Sequence, residues 1–251
     1  SVGGIFQAFE LAEQLYKRAA LGKIITSYPR SRLRNYRLPP DKIESLPIKE
    51  FIYHGWQRMP AFLRDRYNPQ YLTCEIFDRQ VRRRIENCDI FVGWSSFCLH
   101  SLREAKKRGS LTVVERGSTH ILYQKKVLEE ERALSGGAVS LPHPRVIAKE
   151  LDEYQEADYI SVPSQFVRKT FIQHGIPESK MIRVPYGVDL SDYTKIPKDD
   201  DVFRVIFSGR ICLRKGVHYL LEAFHALQLP GSELLLIGAV SDDMKPYLDK
   251  Y

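Results

Sequence analysis

The sequence predicts an α/β protein of two units, each built on a parallel sheet covered by helices. From residue 89 onwards, short apolar or β-branched runs alternate with helical patterns, which is typical of parallel strands joined by helices. A stretch at 185–201, rich in Pro, Gly, Asp and Lys, divides this alternation into two parts. The composition, 43% hydrophobic and 11% aromatic, suits a globular core.

Strands are predicted where short β-branched or apolar runs end at turn-forming residues. They cover residues 23–27, 89–94, 111–115, 158–162, 181–184, 203–207 and 233–237. Helices are predicted where apolar residues recur at helical spacing, often before a glycine such as Gly22, Gly109 or Gly175. They cover residues 4–21, 97–108, 119–134, 144–156, the segment from a Ser164 cap through His174, and 216–227.

Two further segments have mixed patterns. Residues 28–47 hold basic residues and prolines and are predicted to be an irregular connection. Residues 48–87 are predicted to be helical, with breaks at Pro60 and around Asn68-Pro69.

The pattern predicts a first domain at 1–185, a linker at 186–201 and the start of a second domain at 202–251. The second domain shows only a strand, a helix and a strand, far short of the roughly 100–150 residues of an ordinary domain. A helix directly behind Gly3-Gly4 normally follows a first strand. We therefore expect a truncated chain, with the second domain incomplete and the first lacking its initial strand.

The net charge of +7 is unevenly distributed along the chain. Residues 1–110 carry 20 Lys/Arg against 11 Asp/Glu, whereas 111–200 carry 12 against 14 and 201–251 carry 6 against 6. The excess lies in the stretches YPRSRLRNYR, RQVRRRIEN and LREAKKRG. Such a region suits nucleic acid, anionic lipid or a phosphorylated substrate, or is simply a solvated face, and the charge alone leaves these alternatives open.

Several functional classes find no support in the sequence. No window approaches the 18 or more apolar residues of a membrane span, and the first residues do not form a secretory signal. The four cysteines include no C-x-x-C pair, which indicates reduced thiols and a cytoplasmic protein. The histidines show no metal spacing, and there is no P-loop, G-x-S-x-G or H-E-x-x-H. Absence of G-x-G-x-x-G after a strand argues against an NAD enzyme, and no recognised nucleic-acid fold is present.

The most specific segment is FRVIFSGRICLRKGVHYLLEAF, residues 203–224. A predicted strand ends, Ser208-Gly209 form a tight turn, and Arg210 and Lys215 precede a helix that begins near Gly216. Ligands of open α/β sheets bind at the carboxyl ends of strands. Arginine offers phosphate a bidentate fork, lysine a compact charge and the helix N-terminus further donors. This segment predicts a diphosphate site; the alternative is two surface cations at a helix start.

These motifs, taken together and in order, resemble the glycosyltransferase family 4 pattern. The family's donor domain begins with an S-G-R turn, a K-G pair and a helix, as at residues 208–224 here. The run ADYISVPS at 157–164 is similar to its A-D, strand, S element. The run VPYGVD at 184–189 is similar to its P-N-G-V-D element, with Tyr186 in place of the common Asn. Gly3-Gly4 before a helix resembles its N-terminal glycine loop, so the resemblance spans nearly the whole chain.

The resemblance implies a GT-B fold of two Rossmann-like domains and a hexosyltransferase-type activity. Such an enzyme moves a sugar from a nucleoside diphosphate sugar to an acceptor hydroxyl with retention of configuration, and needs no metal or other cofactor. Ser208, Gly209, Arg210 and Lys215 would bind the donor diphosphate. His120, which follows the predicted strand at 111–115, would face the donor sugar across the cleft and position the sugar or the acceptor.

Other interpretations of the same residues remain open. His120 would equally suit the N-terminus of a helix, with its hydrogen bond satisfied there. Gly3 and Gly4 would bring backbone N–H groups to the donor or acceptor, or form an ordinary turn. Glu115 and Arg116 are weaker site candidates, because they could form a structural ion pair.

The expected partners are a nucleotide sugar and a sugar or lipid-linked acceptor, with no nucleic acid. The basic first domain would suit an acceptor that carries phosphates, or a peripheral position on an anionic membrane, as in cell-surface polysaccharide or glycolipid synthesis. The family's two glutamates at E-x7-E spacing have no match after Gly238. The alternative function is therefore an inactive fragment or a non-catalytic binding module of the same fold.

Overall fold

All strand pairs of the described chain run parallel. A computed structural model describes residues 1–4, 6–136, 139–188, 190 and 193–251. Ile5 of the predicted first helix and Asp189 of the VPYGVD run lie outside the described residues. The expected α/β class with parallel sheets is confirmed, and the arrangement is compatible with a Rossmann-like fold.

The described residues form eight strands and ten helices. The strands are β1 (Ile24–Thr26), β2 (Ile43–Ser45), β3 (Ile90–Trp94), β4 (Leu111–Glu115), β5 (Tyr159–Val162), β6 (Met181–Arg183), β7 (Phe203–Ser208) and β8 (Ser232–Ile237). The helices are α1 (Ala8–Lys17), α2 (Ile48–Gln57), α3 (Ala61–Arg66), α4 (Gln70–Arg82), α5 (Leu99–Lys107), α6 (Ile121–Leu134), α7 (Pro144–Glu156), α8 (Gln165–Ile172), α9 (Val217–Leu227) and α10 (Lys245–Leu248).

The described chain divides into two compact units. Unit 1 comprises residues 1–124 and 142–186, and unit 2 comprises residues 125–141 and 187–251. The sequence analysis assigned 125–141 to the first domain, whereas in the structure Leu128 and Val139 pack with Ile211, Leu213 and Val217. Because this packing joins segments some 80 residues apart, no local pattern of the sequence indicates it.

The first two residues connect the sheets of unit 1. Strand pairing gives one sheet of order β1-β2 and another of order β3-β4-β5-β6. Val2 bridges Thr26 in parallel, and its N–H donates to the Ile25 carbonyl at 2.9 Å. On the other side, the Trp94 N–H donates to the Ser1 carbonyl at 3.0 Å. The hydrogen-bonded order is therefore β2, β1, residues 1–2, β3, β4, β5 and β6.

Several predicted elements are confirmed to the residue or nearly so. The strand at 111–115 and the helix at 144–156 have the predicted bounds. The hydroxyl of Ser164 accepts a hydrogen bond from the Val167 N–H, so Ser164 is the predicted N-cap of α8. The helical region at 48–87 is broken before Ala61 and before Gln70, as Pro60 and Asn68-Pro69 indicated.

The prediction of an irregular connection at 28–47 is wrong in part. Residues 43–45 form β2, whose Ile43 lies beside Ile24 of β1 and is 8% exposed. A strand of three residues is too short to show a period-2 pattern, so only its pairing with β1 reveals it.

The predicted helix at 4–21 is too long. The helix begins at Ala8 and ends at Lys17. Phe6, which precedes it, has a φ of 44°, and Ala19, which follows it, has a φ of 54°. Both residues lie in the left-handed region, which ends or precedes helices but does not continue them.

Each unit has its own apolar core. In unit 1, α4, α5, α7 and α8 cover the sheet of β3 to β6, and Phe77, Leu102 and Phe171 are fully buried among them. In unit 2, Leu213, Val217 and Met244 form the centre of the core. None of the helices in the described ranges is both long and apolar enough to cross a membrane.

The core of unit 1 allows a direct test of the packing of α8. Phe171 is 0% exposed, whereas Phe166 on the same helix is 57% exposed. We expect Phe171→Ala to lower the free energy of unfolding by about 3–5 kcal/mol, because it leaves a cavity as well as losing apolar burial. Urea denaturation measures this. Phe166→Ala is the matched control and should change it by less than about 1 kcal/mol; equal effects would contradict the placement of Phe171.

Candidate functional site

The predicted residues of unit 1 follow strands at one edge of its sheet. Gly3 and Gly4 follow the Val2 bridge to β1, and His120 lies five residues after the end of β4. Because parallel strands all end at the same edge, this is where an α/β sheet places its ligands. No described contact joins His120 to either glycine.

Gly3 and Gly4 are buried. A β-carbon on Gly3 would lie 2.5 Å from the ring of Phe97, and one on Gly4 would lie 2.8 Å from the ring of Phe6. The carbonyl oxygen of Gly4 accepts a hydrogen bond from the Thr26 hydroxyl at 2.8 Å. Packing therefore accounts for both glycines, and Phe97 connects Gly3 to the loop after β3.

The loop after β3 is held by two buried carboxylates of α7. Ser96 has a φ of 74°, which is uncommon for a residue with a side chain. Its N–H donates to Glu153 at 2.7 Å, and its hydroxyl donates to Glu150. The Cys98 N–H donates to the other oxygen of Glu153 at 2.9 Å. Backbone strain of this kind persists only where the surroundings enforce it, and here the two glutamates do so.

Of the carboxyl groups around this loop, that of Glu153 has the largest pKa shift. It is 0% exposed. Burial raises the pKa of Glu153 to about 8, although the N–H of Cys98 acts in the opposite direction. A carboxyl of this kind could change its charge near neutral pH, at the point where it holds the Ser96 loop.

Arg116, directly after β4, is also buried. Its guanidinium donates to Glu150 at 3.1 Å, to Gln124 at 2.9 Å and to the Thr119 carbonyl at 3.1 Å. Burial by itself would lower the pKa of Arg116, but Tyr154 and Glu150 outweigh it and raise the pKa. The ion pair of Arg116 is thus made with Glu150 of α7, at 3.1 Å, and not with its neighbour in sequence.

His120 lies in the core and not at the surface. It is 1% exposed, and its Nδ1 accepts a hydrogen bond from the Leu122 N–H at 3.3 Å, which caps the start of α6. Its ring stacks on His174 at 4.4 Å and meets Phe171 edge-on at 5.0 Å. Burial, and then His174, lower the pKa of His120 to about 4, so the ring is neutral at pH 7.

The described residues contain one group with the composition of a metal site. Ligand atoms of Glu75, Asp78 and His100 lie within 4.8 Å of one another. The Lys149 ammonium is 2.7 Å from Glu75 and 2.6 Å from Asp78. Burial would raise the pKa of Glu75, but hydrogen bonds from Lys149 and His100 lower it to about 2. The lysine already supplies the positive charge, so a metal ion would have to displace it.

In unit 2, Ser208 is the last residue of β7, and Gly209, Arg210 and Lys215 lie in the loop between β7 and α9; all four are exposed. The Arg210 Nε donates to the Ser241 hydroxyl at 2.8 Å. Within the described chain, the terminal nitrogens of Arg210 and the Lys215 ammonium have no hydrogen bond or ion pair.

The same loop ends at a helix start that has no side-chain cap. Gly216, with a φ of 71°, is the N-cap of α9 and offers no side chain to the first N–H groups of the helix. Among the described residues, three exposed cations, Arg210, Arg214 and Lys215, and an uncapped helix N-terminus thus belong to one loop.

Two glycines bring the ends of β7 and β8 into close backbone contact. Gly209 and Gly238 have φ values of 147° and 146°. A β-carbon on Gly238 would overlap the carbonyl oxygen of Gly209. Only glycine fits at 238, so the loop after β8 can lie directly against the loop that holds Arg210.

No protein-family model matches the chain, and no curated protein matches it significantly.

The sequence analysis missed the buried charges of α7 and the role of Gly238. A signal for the former was present, because Lys149, Glu150 and Glu153 fall in the same helical phase as the apolar residues Val146 and Tyr154. Charged residues on the buried face of a helix indicate an internal ionic network. For Gly238, the signal was a glycine directly after a strand, at the position that matches Gly209.

The burial of His120 predicts a pH dependence of stability. Its pKa is about 4 in the folded chain and close to 6.5 in the unfolded chain, so the unfolded chain binds more protons between these values. Stability should fall as the pH falls from 6.5 to 4, by up to about 1.4 kcal/mol per pH unit from this group. His120→Asn keeps a capping acceptor but does not titrate, and urea denaturation across this range should show a shallower slope.

The matched control for this prediction is His143→Asn. His143 caps α7 in the same way, through a hydrogen bond from the Arg145 N–H at 3.1 Å, but it is only half-buried. The His143→Asn variant should show the same slope of unfolding free energy against pH as the wild type. Identical slopes for the wild type and His120→Asn would show that His120 does not contribute in this way.

Gly238→Ala tests the backbone contact in unit 2. The new methyl group would overlap the Gly209 carbonyl, and we expect a loss of about 2–4 kcal/mol in the stability of unit 2. Gly231→Ala is the matched control, because Gly231 has a φ of 64° but open space around it, and it should cost about 1 kcal/mol. The stability losses of both variants are measured by the protection of the β7 and β8 amides in hydrogen exchange. Equal losses would mean that only the dihedral angle matters at 238.

Proposed function

We propose that the chain belongs to a retaining glycosyltransferase that transfers a sugar from a nucleoside diphosphate sugar to an acceptor hydroxyl. The observation that carries the proposal is the loop after β7. There, Arg210 and Lys215 are exposed cations with charge free for a ligand, next to the uncapped start of α9. These features, at the carboxyl end of a parallel strand, suit an anion, and the sequence of the loop is the segment that most resembles glycosyltransferase family 4.

The chemistry of the loop fits a diphosphate better than a single phosphate. Because Ser241 uses the Nε of Arg210, the two terminal nitrogens remain for a bidentate contact with one phosphate. Lys215 provides a second point charge five residues further along the loop. In the proposed reaction, the bond from the anomeric carbon to the phosphate oxygen breaks and a bond from that carbon to the acceptor oxygen forms, while the acceptor hydroxyl loses its proton to the departing diphosphate. The negative charge develops on the departing diphosphate, where Arg210 and Lys215 would stabilise it.

For the acceptor, the proposal is a sugar or a lipid-linked sugar that carries phosphates. Residues 1–110 hold 20 Lys/Arg against 11 Asp/Glu, and anionic acceptors or anionic membrane surfaces are attracted to such a region. The proposed products are those of cell-surface polysaccharide or glycolipid synthesis.

A non-catalytic binding module of the same fold is the second candidate. The burial of His120 favours it, because a neutral ring that caps α6 from the core does not reach a substrate in this conformation. The two candidates share the nucleotide site and differ in sugar transfer.

Titration with UDP, GDP and ADP tests the nucleotide site. We expect one of them to bind, and to raise the free energy of unfolding by ~2.7 kcal/mol at a hundredfold excess over its dissociation constant. Arg210→Ala should weaken this binding at least about tenfold, since it removes a charge-assisted bidentate contact. Isothermal calorimetry gives the dissociation constants.

Lys245→Ala is the control, because Lys245 is an exposed cation of unit 2 that is paired with Asp242 at 2.8 Å. It should leave nucleotide affinity unchanged. Binding without transfer from any sugar donor would support the binding module. If no nucleotide binds, or if Arg210→Ala binds as the wild type does, the diphosphate assignment is wrong.

A further inference from the structure

Unit 1 has an open cleft between α4 and α5, and neither Arg210 nor Lys215 of the proposed donor site lines it. Its volume is about 590 Å³, and its lining residues are Arg79, Arg82, Arg83, His100, Glu104 and Arg108. Arg82, Arg83 and Arg108 lie near the starts of β3 and β4 in the chain. The cleft therefore extends towards the edge of the sheet opposite the strand ends described above.

The cleft has an excess of positive charge. Four arginines face one glutamate in its lining, a formal charge of +3 without His100. Arg82 and Arg108 share the same carboxylate, that of Glu104, at 3.7 Å and 3.0 Å. Two guanidinium groups on one carboxylate leave several N–H donors without an acceptor.

The other two arginines are no better neutralised. Arg79 pairs with Glu75 at 3.2 Å, but Glu75 also accepts hydrogen bonds from Lys149 and His100. Arg83 has no ion pair within the described part of the chain. All four arginine side chains are exposed, so they can turn towards a ligand without any loss of core packing.

The geometry points to a site for a phosphate-bearing anion in the cleft between α4 and α5. Arginine forks match phosphate oxygens two at a time, and arginines from two helices can grip one phosphate group from two sides. Apart from the imidazole of His100, the lining has no ring on which a nucleobase could stack. The ligand is therefore a compact phosphate or diphosphate, either free in solution or at the head of a lipid.

These arginines could also serve only to stabilise helix C-termini, and the test has to distinguish that role from anion binding. Arg82 and Arg83 lie at the C-terminus of α4, and Arg108 is the C-cap of α5. Cations at helix C-termini are stabilising without any ligand, by roughly 0.3–1 kcal/mol each. If that were their only role, removing them would lower stability but would not affect the binding of anions.

The experiment measures pyrophosphate binding by calorimetry on the whole chain. Because the loop of Arg210 and Lys215 is proposed to bind a diphosphate, both residues are changed to alanine in every protein of this series. Replacing Arg79, Arg82 and Arg83 by glutamine should weaken pyrophosphate binding at least about tenfold. Arg18, Arg34 and Arg58 are exposed and do not line the cleft. Replacing these three by glutamine removes the same charge and should have little effect on pyrophosphate binding.

A second arm uses vesicles of phosphatidylcholine with or without phosphatidic acid, whose head group is a phosphate monoester. Co-sedimentation that depends on phosphatidic acid and on the three cleft arginines identifies a lipid head group as the source. Pyrophosphate binding with the same dependence identifies a free phosphate. The proposal is wrong if neither ligand binds, or if the cleft and control variants weaken binding equally.

A single substitution separates loss of binding from loss of folding. Arg83 is exposed and has no ion pair among the described residues, so Arg83→Gln should keep the wild-type circular dichroism and lower the melting temperature by no more than about 4 °C. It should still weaken the binding of the active ligand by about threefold or more. Wild-type affinity for Arg83→Gln, together with wild-type affinity for Arg108→Gln, would also overturn the proposal.

Discussion

The N-terminus of α5 is held by buried carboxylates from two other helices, and much of unit 1 depends on this interaction. Asp78 of α4 accepts hydrogen bonds from the His100 and Ser101 N–H groups, each at 2.9 Å. Glu153 of α7 accepts those of Ser96 and Cys98. A helix N-terminus carries partial positive charge and unpaired N–H groups, and carboxylates satisfy both. Three helices and the loop after β3 are thereby fixed to one another.

Buried charges of this kind are costly unless they are paired, and the structure pairs most of them. Lys149 lies between Glu75 and Asp78, and Arg116 pairs with Glu150. Among the described residues, the buried carboxyl groups of Glu115 and Glu153 have no ion pair, and burial raises the pKa of both, that of Glu153 to about 8. The network around α7 thus combines fixed ion pairs with one unpaired carboxyl, that of Glu153. That carboxyl holds Ser96 in its strained conformation, beside Phe97, whose ring packs on Gly3.

In unit 2, the loops after two strands are held against each other by a backbone contact and not by buried carboxyl groups. The contact between Gly209 and Gly238 requires two glycines, and it places the loops after β7 and β8 against each other. Ser241 of the second loop then binds the guanidinium of Arg210 in the first. Unit 1 positions its strand-end loops with carboxyl groups and rings, whereas the loop after β7 in unit 2 carries exposed cations. This difference is why the proposed donor-diphosphate site is assigned to unit 2.

The sequence by itself determined the α/β class, most element bounds and the Ser164 cap, because these depend on residues within one or two turns of each other. Leu111–Glu115, Pro144–Glu156 and the Ser164 cap are of this kind. The sequence also predicted that Arg210 and Lys215 would share one loop, since five residues separate them. Only the tertiary structure decided that His120 caps α6 from the core, that Arg116 pairs with Glu150, and that 125–141 pack with the C-terminal residues. Each of these depends on burial or on a partner from another element, and no local pattern of residues contains that information.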